Sequence, residues 1–151
     1  MIRDNQYMLI WNMHPNRWPA GAPRAIVNGR LMPLYGIDKD GKHQSEWAFT
    51  DVDASPSKSL LAENHKNPEI KPFFDLSFAK RPEYELYDIL NDPYCLNNLS
   101  GHSDYSRIEE RLRSELVKEL ERSEDPRLVG PDPHIFDTYI RYAPMREFPE
   151  E

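Results

Sequence analysis

The 151-residue chain is about one domain long, carries 30% charged and 38% hydrophobic residues, and has a net charge of −7. Its mean hydropathy of −0.80 goes with a modest core, yet three Trp, eight Tyr and six Phe are too many for a disordered chain. The acidic balance excludes a general nucleic-acid binder, which needs a basic surface. No apolar run reaches the roughly 18–20 residues that cross a bilayer, and the single Cys95 excludes an internal disulfide or a multi-cysteine zinc site.

Fourteen prolines punctuate the chain, and residues 94–125 have none. Proline breaks helix interiors and central strands, so this window is the place for a long element. Residues 2–13 read as an opening strand, with Tyr7, Leu9 and Trp11 on one face and Met8 and Ile10 on the other. A proline-rich loop follows at 14–24. Two strands, 31–37 and 42–49, are expected across the turn Asp38-Lys39-Asp40-Gly41. Ser55-Pro56 starts a helix through residue 64, with Leu60 and Leu61 as its apolar contribution, and a second helix is predicted between Pro68 and Ala79. Residues 83–90 alternate as a strand at or near an edge, ended by Asn91-Asp92-Pro93. The firmest element is a helix capped by Ser103, with an apolar stripe of Tyr105, Ile108, Leu112, Leu116 and Leu120 and an outer Glu109–Arg113 pair.

The fold expected is therefore α+β: a small antiparallel sheet of about four strands packed against a long C-terminal amphipathic helix, with short helices and long loops. Residues 1–130 form the domain and 131–151 an irregular aromatic tail. The outer face of the first strand (Met8, Ile10) and the tail's Phe136, Tyr139 and Tyr142 are expected to supply an apolar interface.

Chemistry is hard to find. The five histidines (14, 43, 65, 102, 134) show no metal-ligand spacing, so no metal site is expected. Asp38-x-Asp40-Gly41 lacks the downstream ligands of a calcium loop and reads as a turn. Asp51 and Asp53 share a strand face if that segment is extended. Cys95 has no activating histidine nearby and reads as a small half-buried hydrophobe. Asn98-Leu99-Ser100 is a formal glycosylation sequon. Nucleophile-elbow, P-loop and dinucleotide motifs are missing, and no catalytic residue is assigned.

One segment carries more. Arg81–Leu99 contains Glu85-Leu86-Tyr87-Asp88, then Asn91-Asp92-Pro93, then Asn98-Leu99. It closely resembles the C-terminal hallmark of the sulfatase family, in which an ELYD strand runs into an NDP turn and an NL segment ahead of the last helix. Arg3, Tyr7, Ile10 and Asn12 are similar to the family's preceding strand. Ser55-Pro56-Ser57 with Leu60-Leu61, and Asp125-Pro126, resemble the heparan N-sulfatase (N-sulfoglucosamine sulfohydrolase) branch.

The resemblance implies a non-catalytic C-terminal subdomain, a four-stranded antiparallel sheet with a long helix, docked on an α/β catalytic domain that acts on sulfated glycans. Family enzymes are usually periplasmic, secreted or lysosomal, and use calcium and a formylglycine made from Cys/Ser-x-Pro-x-Arg. That motif does not occur here, so no cofactor is expected in this chain, and its partner would be an N-terminal catalytic domain. Within the 14–24 loop, His14, Arg17 and Trp18 are the candidates for contacting a sulfated sugar, through cation and ring. A stand-alone carbohydrate-binding or interaction module is the alternative.

Overall fold

The computed structural model describes residues 1–139; residues 140–151, and with them Tyr142, lie outside the described residues. Chain contacts divide the described residues into two units, one made of residues 1–14 and 82–139, the other of Pro15–Arg81.

The first unit is a three-stranded antiparallel sheet under a helix. The expected opening strand is two strands, β1 (Ile2–Arg3) and β2 (Tyr7–Trp11). Asp4 breaks it by accepting the Gln6 and Tyr7 N–H groups on Oδ1, at 2.8 and 2.7 Å, a side-chain mimic of a turn. β2 is central and pairs with β5 (Tyr84–Asp88), Leu9 opposite Leu86. The sheet has three strands rather than four. α3 (Ser106–Arg122), extended backwards by a 3-10 turn at Ser103–Tyr105, lays Leu112 and Leu116 on Leu9 and Leu86; all four are essentially buried. Ile2, Tyr7, Trp11, Tyr84, Tyr105, Ile108 and Leu120 surround this core, so the helical stripe falls where its spacing places it.

Two helix details differ from expectation. Ser103 sits in the 3-10 turn and makes no cap bond; Tyr105 occupies the N-cap. Glu109 is not on an outer face but 5% exposed. Its carboxylate accepts from the Ser100 hydroxyl and the Gly101 N–H, at 2.7 and 2.9 Å, as well as from Arg113. The loop ahead of the helix offers donors that need an acceptor, and this outweighs the pull of solvent on the carboxylate.

The second unit has little regular structure. The hairpin expected at 31–37 and 42–49 reduces to one bridge, Ile37 to His43, flanked by 3-10 turns at Leu34–Gly36 and Ser45–Trp47. Tyr35 and Gly36 both take positive φ (56° and 68°), which no ladder accommodates. A Cβ on Gly36 would stand 2.8 Å from the Gln44 carbonyl, so that turn requires glycine. The turn at 38–41 forms as expected, Asp38 Oδ1 accepting the Asp40 and Lys42 N–H groups. The two-residue hairpin lies earlier: β3 (Ile26–Val27) and β4 (Arg30–Leu31) join across Asn28-Gly29, both at positive φ.

α1 (Pro56–Glu63) starts as Ser55-Pro56 predicts, with the Ser55 hydroxyl accepting the Lys58 N–H at 3.1 Å. Its buried residues, however, are Lys58 and Ala62; Leu60 is 54% exposed. α2 (Lys71–Phe78) buries Phe74 and Phe78 against Phe49, with Trp18 and Tyr35 packed beside them. The Phe49 and Phe78 rings stack at 4.5 Å.

Candidate functional site

In the segment Glu85–Leu99 the bonds and contacts of Glu85, Leu86, Tyr87, Asp88, Asn91, Asp92, Asn98 and Leu99 are architectural. Leu86 is fully buried in the sheet–helix core. Glu85 is also buried, its two oxygens accepting from the Tyr87 hydroxyl (2.8 Å) and the Asn12 amide (2.9 Å). Asp88 closes the end of β5, accepting from the Leu90 and Asn91 N–H groups and from the Gln6 amide. These donors hold its carboxyl below the usual carboxylate range, the Asn91 side chain foremost. Asp92 accepts the Asn97 N–H at 2.7 Å and so ties off the 92–97 loop.

Asn98 then does what a further strand would do. Its Oδ1 accepts the Leu86 and Ser100 N–H groups at 2.8 and 3.0 Å, and its Nδ2 donates to the Tyr84 carbonyl at 3.3 Å. The Leu99 N–H donates to the Leu86 carbonyl at 2.7 Å. The free edge of β5 at Tyr84 and Leu86 is thereby satisfied by one side chain and one peptide. A glycan would sit on the same Nδ2 that donates to the Tyr84 carbonyl and would crowd that bond, so the sequon reads as structure. Cys95, half-buried in the same loop, has its thiol pushed up by burial, then by Asp92 and Glu85, which makes it a poor nucleophile.

The three residues assigned to sugar contact fall in different units. Arg17 and Trp18 belong to the second. Arg17 is exposed. Trp18 is half-buried against Phe49, with the Lys80 ammonium 5.1 Å from its ring centroid. His14 belongs to the first unit, just past β2, and stacks on His134 with ring centroids 5.0 Å apart and planes 23° from parallel.

His134 precedes the 3-10 turn Ile135–Thr138 as its N-cap and Asp137 lies within it, with His134 Nδ1 3.5 Å from Asp137 Oδ2. One ligand atom each from His14, His134 and Asp137 lie within 4.8 Å of one another. Sequence reasoning missed this grouping because 120 residues separate His14 from His134; only the i,i+3 spacing of His134 and Asp137 hints at it.

The second unit holds an open cleft of ≈440 Å³ lined by Ser45, Glu46, Thr50, Val52, Asp53 and Ala54. Its wall is organised by Lys58, whose ammonium donates to the Ser45, Phe49 and Val52 carbonyls at 2.9, 2.8 and 2.8 Å. All three N–H groups are used, and burial holds its pKa down. Lys58 is a strut for an irregular loop. His43 lies nearby, its Nδ1 3.0 Å from the Ser59 hydroxyl and its backbone N–H on Glu63. Burial, with Lys58 next, holds His43 towards its neutral form.

The chain matches no protein-family model, no curated protein and no solved structure.

Proposed function

We infer that this chain is the non-catalytic C-terminal portion of a sulfatase that removes sulfate from sulfated glycans, with N-sulfoglucosamine-type substrates the best fit within the family. What carries the reading is the run Glu85–Leu99: the residues that most resemble the sulfatase hallmark are those that hold the sheet, its free edge and the approach to α3 together. A non-catalytic subdomain calls for that use of a motif. The catalytic partner would be the α/β domain bearing the formylglycine and calcium.

The residues here do not fit those groups. The sequence has no Cys/Ser-x-Pro-x-Arg. Among the described residues the one grouping of three metal-ligating side chains is two imidazoles and a carboxylate, whereas calcium takes an all-oxygen set. Arg17, exposed on the proline-rich loop, is the cation proposed to reach a sulfate group, with Trp18 of the same unit as the accompanying ring. Among the described residues no helix is long and apolar enough to cross a membrane.

Comparing sulfate release by this chain with release by its reading frame extended upstream tests the proposal. The extended product is expected to carry a Cys/Ser-x-Pro-x-Arg and to hydrolyse an aryl sulfate or N-sulfoglucosamine with calcium, while this chain alone gives the buffer rate. Turnover by this chain, or an extended frame without the motif, would overturn it. In the second case binding of a sulfated oligosaccharide by this chain, weakened by Arg17→Ala, would favour the stand-alone module.

A further inference from the structure

The grouping of His14, His134 and Asp137 is independent of the sulfatase reading and has its own chemistry. Two imidazoles and one carboxylate are the donors that borderline divalent transition metals take, unlike the hard oxygen sets of calcium or magnesium. A tetrahedral zinc ion with bonds of about 2.0–2.1 Å needs its donor atoms about 3.3 Å apart. The three ligand atoms here already lie within 4.8 Å. Side-chain rotation alone can close the difference, since His134 and Asp137 are exposed, with side chains 58% and 30% accessible.

The backbone supplies the pre-organisation. His134 caps the start of the 3-10 turn and Asp137 follows three residues on, a spacing that brings the two side chains to the same side of the turn, 3.5 Å apart. The neighbouring Phe136 ring lies 5.3 Å from the Arg127 guanidinium and 5.4 Å from the Tyr139 ring, which fixes the turn locally. His14 follows β2, whose hydrogen bonding runs on past the strand through Asn12, with its N–H on the Glu83 carbonyl at 2.7 Å and its amide on Pro82. The ligands thus come from two anchored segments of one unit.

We propose that His14, His134 and Asp137 form a three-ligand site for a divalent transition-metal ion, zinc being the best-fitting, that clamps the segment after α4 (Pro126–Val129) to the end of β2. Three protein ligands leave one tetrahedral position for water or an anionic group. Because the clamp joins segments far apart in sequence, its binding energy adds to the stability of the first unit.

The test is a zinc titration of the untagged full chain in competition with a chromophoric chelator, with cobalt as a spectroscopic substitute. One zinc per chain, visible cobalt bands of tetrahedral intensity and a raised melting temperature are expected. His134→Gln and Asp137→Asn, both at exposed positions that leave the core intact, should each weaken binding by at least the roughly 10–100-fold that losing even an outer partner costs. His14→Gln should do the same, and His102→Gln, at another exposed histidine, should change nothing. The absence of saturable binding would overturn the proposal, and so would stoichiometric binding that survives His134→Gln and Asp137→Asn.

Discussion

The two units use opposite means to build a core. In the first, aliphatic side chains at regular spacing meet across a sheet–helix interface: Leu9 and Leu86 from paired strands, Leu112 and Leu116 one helical turn apart. In the second, an irregular backbone wraps an aromatic cluster of Phe49, Phe74 and Phe78 with Tyr35 and Trp18. There the backbone polar groups that no ladder satisfies are met by side chains, above all Lys58. Periodic secondary structure satisfies its own backbone and leaves side chains free to pack, whereas loop architecture must spend side chains on the backbone.

The contrast can be broken most sharply at the two cores. Phe78→Ala should destabilise the second unit by about 3–5 kcal/mol and Leu112→Ala the first by about 2–5 kcal/mol, large fractions of the roughly 5–15 kcal/mol a domain has. Phe78 is 2% and Leu112 0% exposed. Chemical denaturation checks both, with near-ultraviolet circular dichroism reporting the aromatic cluster and far-ultraviolet the helix. A loss below about 0.5 kcal/mol at either site would remove that side chain from its core.

A smaller effect belongs to the first unit alone. The backbone N–H of Tyr7, followed by the Arg111 guanidinium 2.6 Å away, holds the Asp4 carboxyl at about 2 against an ordinary 3.8. Because the folded value lies below the unfolded one, the stabilisation is complete above pH 3.8 and is lost as pH falls towards 2. The Asp4 side chain is 35% and that of Arg111 46% exposed, so solvent screening leaves on the order of 1 kcal/mol. Asp4→Asn should lower stability by that amount at neutral pH and flatten the acid limb of the pH–stability curve. An unchanged acid limb would show that other carboxylates carry it.

What could be read from the sequence follows the same division. The stripe on α3, the start of α1 at Ser55-Pro56 and the alternation of β5 are local patterns, and the structure places them as read. The hairpin expected at 31–49 reduces to its turn and one bridge, because residues such as Tyr35 adopt positive φ beside the aromatic cluster, and nothing local announces that. Asn28-Gly29, by contrast, is a local hairpin signal, and the two-residue hairpin forms there. Glu109 reads as half of a surface pair, and no local pattern singles out Lys58; both are buried because of segments distant in the chain or in neighbouring loops. The His14–His134–Asp137 grouping likewise depends on tertiary placement.

The Glu85–Leu99 segment, on which the sulfatase proposal rests, is a scaffold, and Asn98 is where this can be tested most directly. Asn98→Leu keeps the side chain's size but removes its bonds to Leu86, Ser100 and Tyr84. Urea unfolding should then report a loss of about 2–4 kcal/mol, from two orphaned N–H groups and one weakened acceptor. Stability within about 0.5 kcal/mol of the parent chain would contradict the claim, since a scaffold residue cannot be removed at no cost.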